Sequence, residues 1–115
     1  MKKIYYLSTC STCNRIIKDL GIDDSFEFQD IKSNKITTDQ IEQMAQMSGS
    51  YESLFSKRAM KYKSMGLKDK KLSENDIKGL IVDEYTFLKR PVIIIDDKIF
   101  VGNSKKTVEA VANEL

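Results

Sequence analysis

The chain opens with Tyr5-Tyr6-Leu7-Ser8-Thr9-Cys10-Ser11-Thr12-Cys13, in which a short apolar run leads into two cysteines. The apolar run predicts a strand over Lys3–Leu7, and the apolar spacing after the cysteines predicts a helix over Cys13–Leu20 that stops at Gly21. The cysteines therefore lie where a strand passes into a helix. Because backbone N–H groups at a helix N-terminus favour a thiolate over a thiol, this place suits a nucleophilic cysteine.

Three uses of the motif Cys10-Ser11-Thr12-Cys13 are open from the residues alone: thiol redox chemistry, a structural disulfide or inert pair, and half of a metal site. The chain has two cysteines and no histidine. Structural zinc normally needs four Cys or His ligands, so zinc would require carboxylates or a second subunit here. Without histidine, only backbone dipoles, hydroxyls, Lys or Arg can activate Cys10. We favour redox chemistry.

The composition is that of one globular domain. At 115 residues, 41% of them hydrophobic, the chain can bury roughly two-thirds of its unfolded surface in a single core. Lys and Arg number 19 against 17 Asp and Glu, a balance that does not indicate nucleic-acid binding. No apolar stretch has the length of a membrane span, and two cysteines spaced as a redox pair fit a reducing compartment. We expect a cytoplasmic protein with neither a membrane nor a nucleic acid as partner.

The middle of the chain is predicted to be mostly helical. Capping signals predict one helix after Thr37, ending near Met47, and another after Ser73, ending near Glu84. Residues 51–65 predict short helical pieces, and the lysine-rich Gly66–Lys71 predicts a solvated loop.

Strands are predicted on both sides of this helical middle. Phe26–Ile31 alternates between apolar and polar residues, which predicts a half-buried strand and a parallel β-α-β unit. Pro91–Ile95 and Lys98–Val101 predict a hairpin with a turn at Asp96-Asp97, and a closing helix follows over Ser104–Leu115. The fold class is α/β: β-α-β, a helical insertion, then β-β-α, forming a mixed four-stranded sheet flanked by helices.

This order of elements is similar to a thioredoxin-like core, which has a C-x-x-C at its first helix and a proline before its third strand. Pro91 is the only proline of the chain and holds that place. By analogy with the fold we expect a cis Arg90–Pro91 bond near the cysteine loop, and a trans proline that marks a strand start is the alternative. We expect a single thioredoxin-like domain over residues 1–115, with the helical insertion at about 34–86.

Three segments resemble the arsenate reductase and Spx family over nearly the full chain: Tyr5–Cys13, Leu54–Arg58 and Phe87–Pro91. The resemblance implies that Cys10 is the nucleophile, that Arg58 comes from the inserted segment and that Arg90 stands before the proline. Two guanidinium groups near a thiolate would stabilise it and hold an oxyanion or a carboxylate by paired hydrogen bonds. The alternative is that both arginines are only solvated.

Cys13 lies about one helical turn after Cys10, where it could attack a mixed disulfide or sulfenic acid on that residue. It is the predicted resolving thiol. Ser11, Thr12 and Pro91 are predicted to support the pair. The C-x-x-C form is similar to Spx-type proteins, whereas the best-known glutathione-coupled arsenate reductases of the family use one cysteine in this loop.

Three positions depart from the family pattern. Ser8 stands where relatives usually have proline, Asn14 where a basic residue is often found, and Asn103 where arsenate reductases have a third arginine. Loss of an arginine weakens an oxyanion site, whereas thiol-disulfide exchange needs only the cysteines and the two remaining arginines.

The resemblance implies a thiol oxidoreductase that acts on a small oxyanion or a glutathione-type substrate. It would have no bound cofactor or metal and would use glutathione, a glutaredoxin or a thioredoxin as reductant. The alternative is an Spx-like redox-responsive regulator that binds the alpha subunit of RNA polymerase. Such relatives have a glycine in the inserted segment for that contact, and here Ser50 holds the place beside Gly49. A third hypothesis is a thioredoxin-like domain whose cysteines have lost their reactivity.

Overall fold

A mixed four-stranded sheet contains the first and last parts of the chain. In the computed structural model, which describes all 115 residues, the strands are β1 (Lys2–Tyr6), β2 (Glu27–Asp30), β3 (Val92–Ile95) and β4 (Lys98–Val101). Their order is β2-β1-β3-β4. β1 pairs in parallel with β2 and antiparallel with β3, which in turn is antiparallel to β4. The predicted mixed α/β sheet is confirmed.

The chain forms two compact units. Met1–Lys35 and Arg90–Leu115 make up the first, which we call the sheet unit, and Ile36–Lys89 makes up the second, the helical unit. The single domain with an insertion at about 34–86 stays a prediction.

Two helices pack against the sheet within the sheet unit. They are α1 (Ser11–Leu20) and α5 (Lys105–Glu114), and they contact each other. Partly buried residues of α1 and β4 pack against a shared apolar core, whose buried members are Ile4, Ile22, Phe26, Ile93, Ile95 and Val111. Gly21 ends α1 with a φ of 65°, a left-handed conformation that costs glycine little. The packing fixes the helix whose first turn carries the cysteines.

Strand β2 exists as predicted, but its buried residue is not the apolar one. Phe28 is 39% exposed, whereas Gln29 is only 5% exposed. The side chain of Gln29 donates a hydrogen bond of 3.0 Å to the carbonyl of Asn34, so its burial does not leave the amide nitrogen unsatisfied. Phe28 packs edge to face against Tyr6, with ring centroids 5.6 Å apart. The apolar alternation in the sequence included Phe26, which precedes the strand and does not follow its period.

The helical unit contains three α-helices and three short 3-10 turns. The helices are α2 (Thr38–Ser48), α3 (Met60–Ser64) and α4 (Glu74–Asp83), and the turns are Glu52–Leu54, Leu67–Asp69 and Tyr85–Phe87. The capping boxes predicted at Thr37 and Ser73 are both formed. No helix anywhere in the chain combines the length and the apolar character that crossing a membrane would require.

The predicted solvated loop at residues 66–71 is only partly one. Its lysines are exposed, but Leu67 is 3% exposed and begins a 3-10 turn. The sequence does not reveal that Leu67 is buried, because a single apolar residue among lysines shows no periodic pattern.

Two extended segments pair within the helical unit. Phe55 and Leu88 form an antiparallel bridge, and the N–H of Lys89 donates to the carbonyl of Leu54 at 2.8 Å. The rings of Phe55 and Phe87 stack with centroids 5.3 Å apart. This pairing joins residues of two family-like segments that are far apart in sequence, Leu54 and Phe55 with Leu88 and Lys89, within the helical unit.

The Thr37 cap gives a test of the helical unit. Thr37→Ala removes the side-chain acceptor for the N–H of Gln40, at 3.1 Å, and should lower the free energy of unfolding by about 1 kcal/mol. Urea denaturation followed by circular dichroism measures this. Thr38→Ala, the same change one residue further on at an exposed position, should change it by no more than about 0.5 kcal/mol. Equal effects of the two variants would contradict the capping role.

Candidate active site

Cys10 is the N-cap residue of α1, with extended backbone angles (φ −92°, ψ 113°). Its N–H donates to the carbonyl of Leu7 at 2.9 Å, and its own carbonyl accepts from the N–H of Asn14 at 3.1 Å. Leu7 to Cys10 is therefore a β-turn that leads straight into the helix. The helix begins at Ser11, two residues before the predicted start, because polar residues in its first turn carry no apolar period.

The two cysteines differ in exposure. Both are free, Cys10 half-buried and Cys13 buried with none of its surface exposed. A reagent or substrate from solution can therefore reach Cys10 before it reaches Cys13.

Several groups act together on the Cys10 thiol. Partial burial raises its pKa, but the backbone N–H and the thiol of Cys13, the backbone N–H of Thr12 and the charge of Arg90 together lower it more. The Cys10 side chain makes no capping hydrogen bond, so the backbone N–H groups act on it as nearby dipoles at the helix end. The pKa of Cys10 therefore lies below that of an ordinary thiol, as expected for a cysteine at a helix N-terminus.

The Cys13 thiol is shifted in the opposite direction. Burial is the main cause, and the thiolate of Cys10 adds to it, whereas the backbone of Leu7 and the charge of Arg90 oppose the shift. The pKa of Cys13 rises to about 11 as a result. The pair therefore consists of Cys10, whose pKa is lowered, and Cys13, which stays protonated at neutral pH.

Arg90 and Pro91 lie beside the cysteine turn. Val92 pairs with Tyr5 across β1 and β3. Arg90 and Pro91 directly precede Val92, so they lie beside the end of β1 from which the cysteine turn extends. The Arg90–Pro91 bond is cis, which confirms the prediction. Arg90 is half-buried, and its charge lowers the pKa of both thiols.

The other predicted residues are placed as follows. Ser11 is the exposed first residue of α1, and Thr12 is half-buried and contributes through its backbone N–H. Arg58 is exposed and belongs to the helical unit, just before α3, so its action on Cys10 stays a prediction. Asn103 is exposed after β4. The Ser50 carbonyl accepts a hydrogen bond of 2.6 Å from the Ser53 hydroxyl.

Sequence reasoning missed the residues that hold the cysteine turn in place. The hydroxyl of Ser8 donates to the carboxylate of Asp30 at 2.5 Å, and the side-chain amide of Asn14 donates to the carbonyl of Ser8 at 2.9 Å. Asp30 ends β2, which runs parallel to β1, and the carboxyl ends of neighbouring parallel strands meet at one edge of a sheet. Applied to Asp30, that rule could have predicted that its side chain lies near the cysteine turn.

Metal ligands are not grouped in this structure. No three Cys, Asp or Glu side chains lie close enough together to hold a metal ion.

The sheet, the cysteine pair at the start of its first helix and the cis proline before β3 define a thioredoxin-like protein. The model of the ArsC family matches residues 5–111, and the chain belongs to that family. This confirms the resemblance inferred from the three sequence segments.

Solved structures of similar proteins cover nearly the whole chain. A possible arsenate reductase from Streptococcus mutans is 28% identical, with a TM-score of 0.73 over 96% of this chain and 97% of that one. A Staphylococcus aureus protein is 25% identical, with the same TM-score and coverage. An arsenate reductase from Vibrio cholerae is 16% identical, with a TM-score of 0.77 over 99% of this chain and 97% of that one, and supports the fold alone. No curated protein matches the chain.

The charge of Arg90 gives a test of the electrostatics. Arg90→Gln removes a cation that lowers the pKa of Cys10, so alkylation of Cys10 at pH 7 should slow by about three- to tenfold, because less of it is thiolate. Mass spectrometry of iodoacetamide-treated protein measures each cysteine separately. Arg15→Gln, at an exposed position of α1, should leave the rate within about twofold. An Arg90→Gln rate equal to that of the unaltered protein would refute the assignment.

Proposed function

We propose that this protein is a cytoplasmic thiol oxidoreductase in which Cys10 attacks the substrate and Cys13 resolves the product. The substrate is a small molecule of the glutathione-disulfide type or a small oxyanion. Glutathione, a glutaredoxin or a thioredoxin supplies the reducing electrons.

One observation carries this proposal: the half-buried Cys10 and the fully buried Cys13 lie at the start of one helix, and their pKa values are shifted in opposite directions. Cys10 is accessible and favours the thiolate, and Cys13 is fully buried with a pKa raised to about 11. A structural pair has no need for this asymmetry. A catalytic pair does, because only one of the two thiols should attack the incoming substrate.

In the first step the Cys10 thiolate attacks one sulfur of a glutathione-type disulfide. A new S–S bond joins Cys10 to that half of the substrate, and the other half leaves as a thiolate with the electron pair of the broken bond. The leaving thiolate takes a proton from solvent.

In the second step Cys13 attacks the sulfur of Cys10. Once Cys10 is bonded to substrate it carries no negative charge, so both of its contributions to the high pKa of Cys13, the charge and the hydrogen bond, are lost. Cys13 then ionises more readily and forms the Cys10–Cys13 disulfide, releasing the second half as a thiol. Two electrons have passed from the pair to the substrate. A dithiol restores the two thiols, and two glutathione molecules can do so where the substrate is not glutathione disulfide itself.

The arginines account for recognition of an anionic substrate. Arg90 lies near the thiols, and its guanidinium group can hold a carboxylate or an oxyanion by two parallel hydrogen bonds. Arg58 is proposed as the second such group. Because Asn103 replaces a third arginine of the arsenate reductases, a glutathione-type disulfide with its carboxylates is favoured over an oxyanion.

An oxyanion would follow the same two steps. Cys10 would displace a hydroxide from the central atom, and this hydroxide would take a proton from solvent and leave as water. Cys13 would then attack the sulfur of Cys10. The bonding electron pair would remain on the central atom, reducing it by two electrons.

Trapping of the intermediate tests the proposed function. With glutathione disulfide as substrate, the Cys13→Ser variant should accumulate a protein with one glutathione bound to Cys10, because the resolving thiol is missing. Cys10→Ser should bind none, since Cys13 is fully buried and out of reach of the substrate. The unaltered protein should form the Cys10–Cys13 disulfide and release two glutathione thiolates for each disulfide consumed. Intact-protein mass spectrometry after quenching with acid distinguishes these states.

The absence of these states and of arsenate reduction would reject the proposal. Unaltered protein that stays reduced with excess glutathione disulfide, and that forms no arsenite from arsenate in the presence of glutathione, has no such activity. Binding of the alpha subunit of RNA polymerase by that same protein, in one redox state only, would instead support the Spx-like regulator.

A further inference from the structure

We infer that Ser8, Asp30 and Asn14 are positioning residues that hold the Cys10 turn in the geometry that activates its thiol. This rests on the proposed function, in which the Cys10 thiolate is the attacking group. None of the three touches the sulfur in the contacts described above, so their action passes through the backbone.

The turn itself leaves Ser8 without a local constraint. The 2.9 Å hydrogen bond from the Cys10 N–H to the Leu7 carbonyl closes a β-turn with Ser8 at its second position. Proline is favoured there because its ring presets φ. Serine lacks that ring, so contacts from outside the turn have to supply the constraint.

Those contacts bind every polar group of Ser8. Its hydroxyl donates to one oxygen of the Asp30 carboxylate at 2.5 Å, and its N–H donates to the other at 3.4 Å. Its carbonyl accepts from the side-chain amide of Asn14 at 2.9 Å. The turn is thereby tied to β2 on one side and to the first turn of α1 on the other.

Asp30 is itself held firmly enough to act as an anchor. Its carboxylate also accepts from the N–H of Lys32 at 3.2 Å, and its carbonyl accepts from the N–H of Asn34 at 2.8 Å. The N–H of Ile31 donates to the Tyr6 carbonyl at 2.9 Å, which extends the pairing with β1 beyond the strand. The Ser8 hydroxyl lowers the pKa of Asp30, so the carboxylate is ionised at neutral pH.

The position of the turn matters because the thiolate of Cys10 depends on short-range partners. The backbone N–H groups of Thr12 and Cys13 favour it only while the sulfur lies in front of the helix end, and such interactions weaken steeply with distance and angle. A turn released from Asp30 and Asn14 lets the sulfur move away from these donors. The pKa of Cys10 then returns towards that of an ordinary thiol.

The test is the pH profile of Cys10 alkylation, resolved from Cys13 by mass spectrometry, in full-length variants. Ser8→Ala and Asp30→Asn should each raise the apparent pKa of Cys10 and slow its alkylation at pH 7 by about three- to tenfold. Asp30→Asn also separates geometry from charge, since loss of a nearby negative charge alone would lower that pKa. Asp19→Asn, on the exposed side of α1, should leave the profile unchanged.

A proline variant tests the mechanism of positioning. Ser8→Pro supplies the constraint through its ring and should keep the low pKa, and adding Asp30→Asn to it should no longer slow alkylation by more than about twofold. Unfolding by urea is measured on each variant, and only those that retain cooperative unfolding are compared.

The outcomes separate this inference from the proposed function. If Cys10 of the unaltered protein titrates like a free thiol, the proposed function fails before any variant is considered. If Cys10 is activated but Ser8→Ala and Asp30→Asn leave its profile unchanged, the inference is overturned and the function stands. A Ser8→Pro protein as slow as Ser8→Ala would also overturn it, because a fixed turn would not then be what Ser8 supplies.

Discussion

The register between β1 and β3 is the constraint on which the candidate site depends. Tyr5 lies opposite Val92, so the cis Arg90–Pro91 bond falls beside the strand end that leads to the cysteines. All four residues of β3 are buried. A slip of one residue would turn every side chain of β3 to the opposite face and would move Arg90 along the ladder. The packing of the sheet therefore also sets the distance between the arginine and the thiols.

Within this sheet, the N-terminus of α1 holds two cysteines that differ in their chemistry. Cys10 precedes the first turn and receives the N–H groups and the charge of Arg90, whereas Cys13 lies inside the turn on the buried side. A spacing of three residues places the two side chains on the same face of the helix, and burial distinguishes them, because Cys10 is half-buried and Cys13, one turn further along, is fully buried. The buried Cys13 thiol in turn helps to lower the pKa of the half-buried Cys10, so neither pKa can be understood alone.

The features that the sequence predicted well are local ones. A strand, a cysteine pair and a helix follow within 20 residues, and both capping boxes span three residues, so chain geometry alone brings their groups together. The Ser8–Asp30 contact spans 22 residues and exists only because β2 lies parallel to β1 in one register. The burial of Gln29 was unpredictable for a similar reason, since its partner, the Asn34 carbonyl, depends on the turn after β2. Placement of Arg58 requires tertiary information of the same kind.

The magnitudes explain how serine can stand at a turn position that favours proline. A proline compatible with its turn stabilises a protein by about 0.4–1 kcal/mol, chiefly by restricting the unfolded chain. A single hydrogen bond contributes about 0.5–1.5 kcal/mol, and more where one partner is charged. The short contact of Ser8 with the Asp30 carboxylate is of the charged kind, so it can offset the missing ring even where water weakens it. The two solutions differ in what they connect, because a proline restrains only its own turn, whereas Ser8 ties the turn of Cys10 to a neighbouring strand.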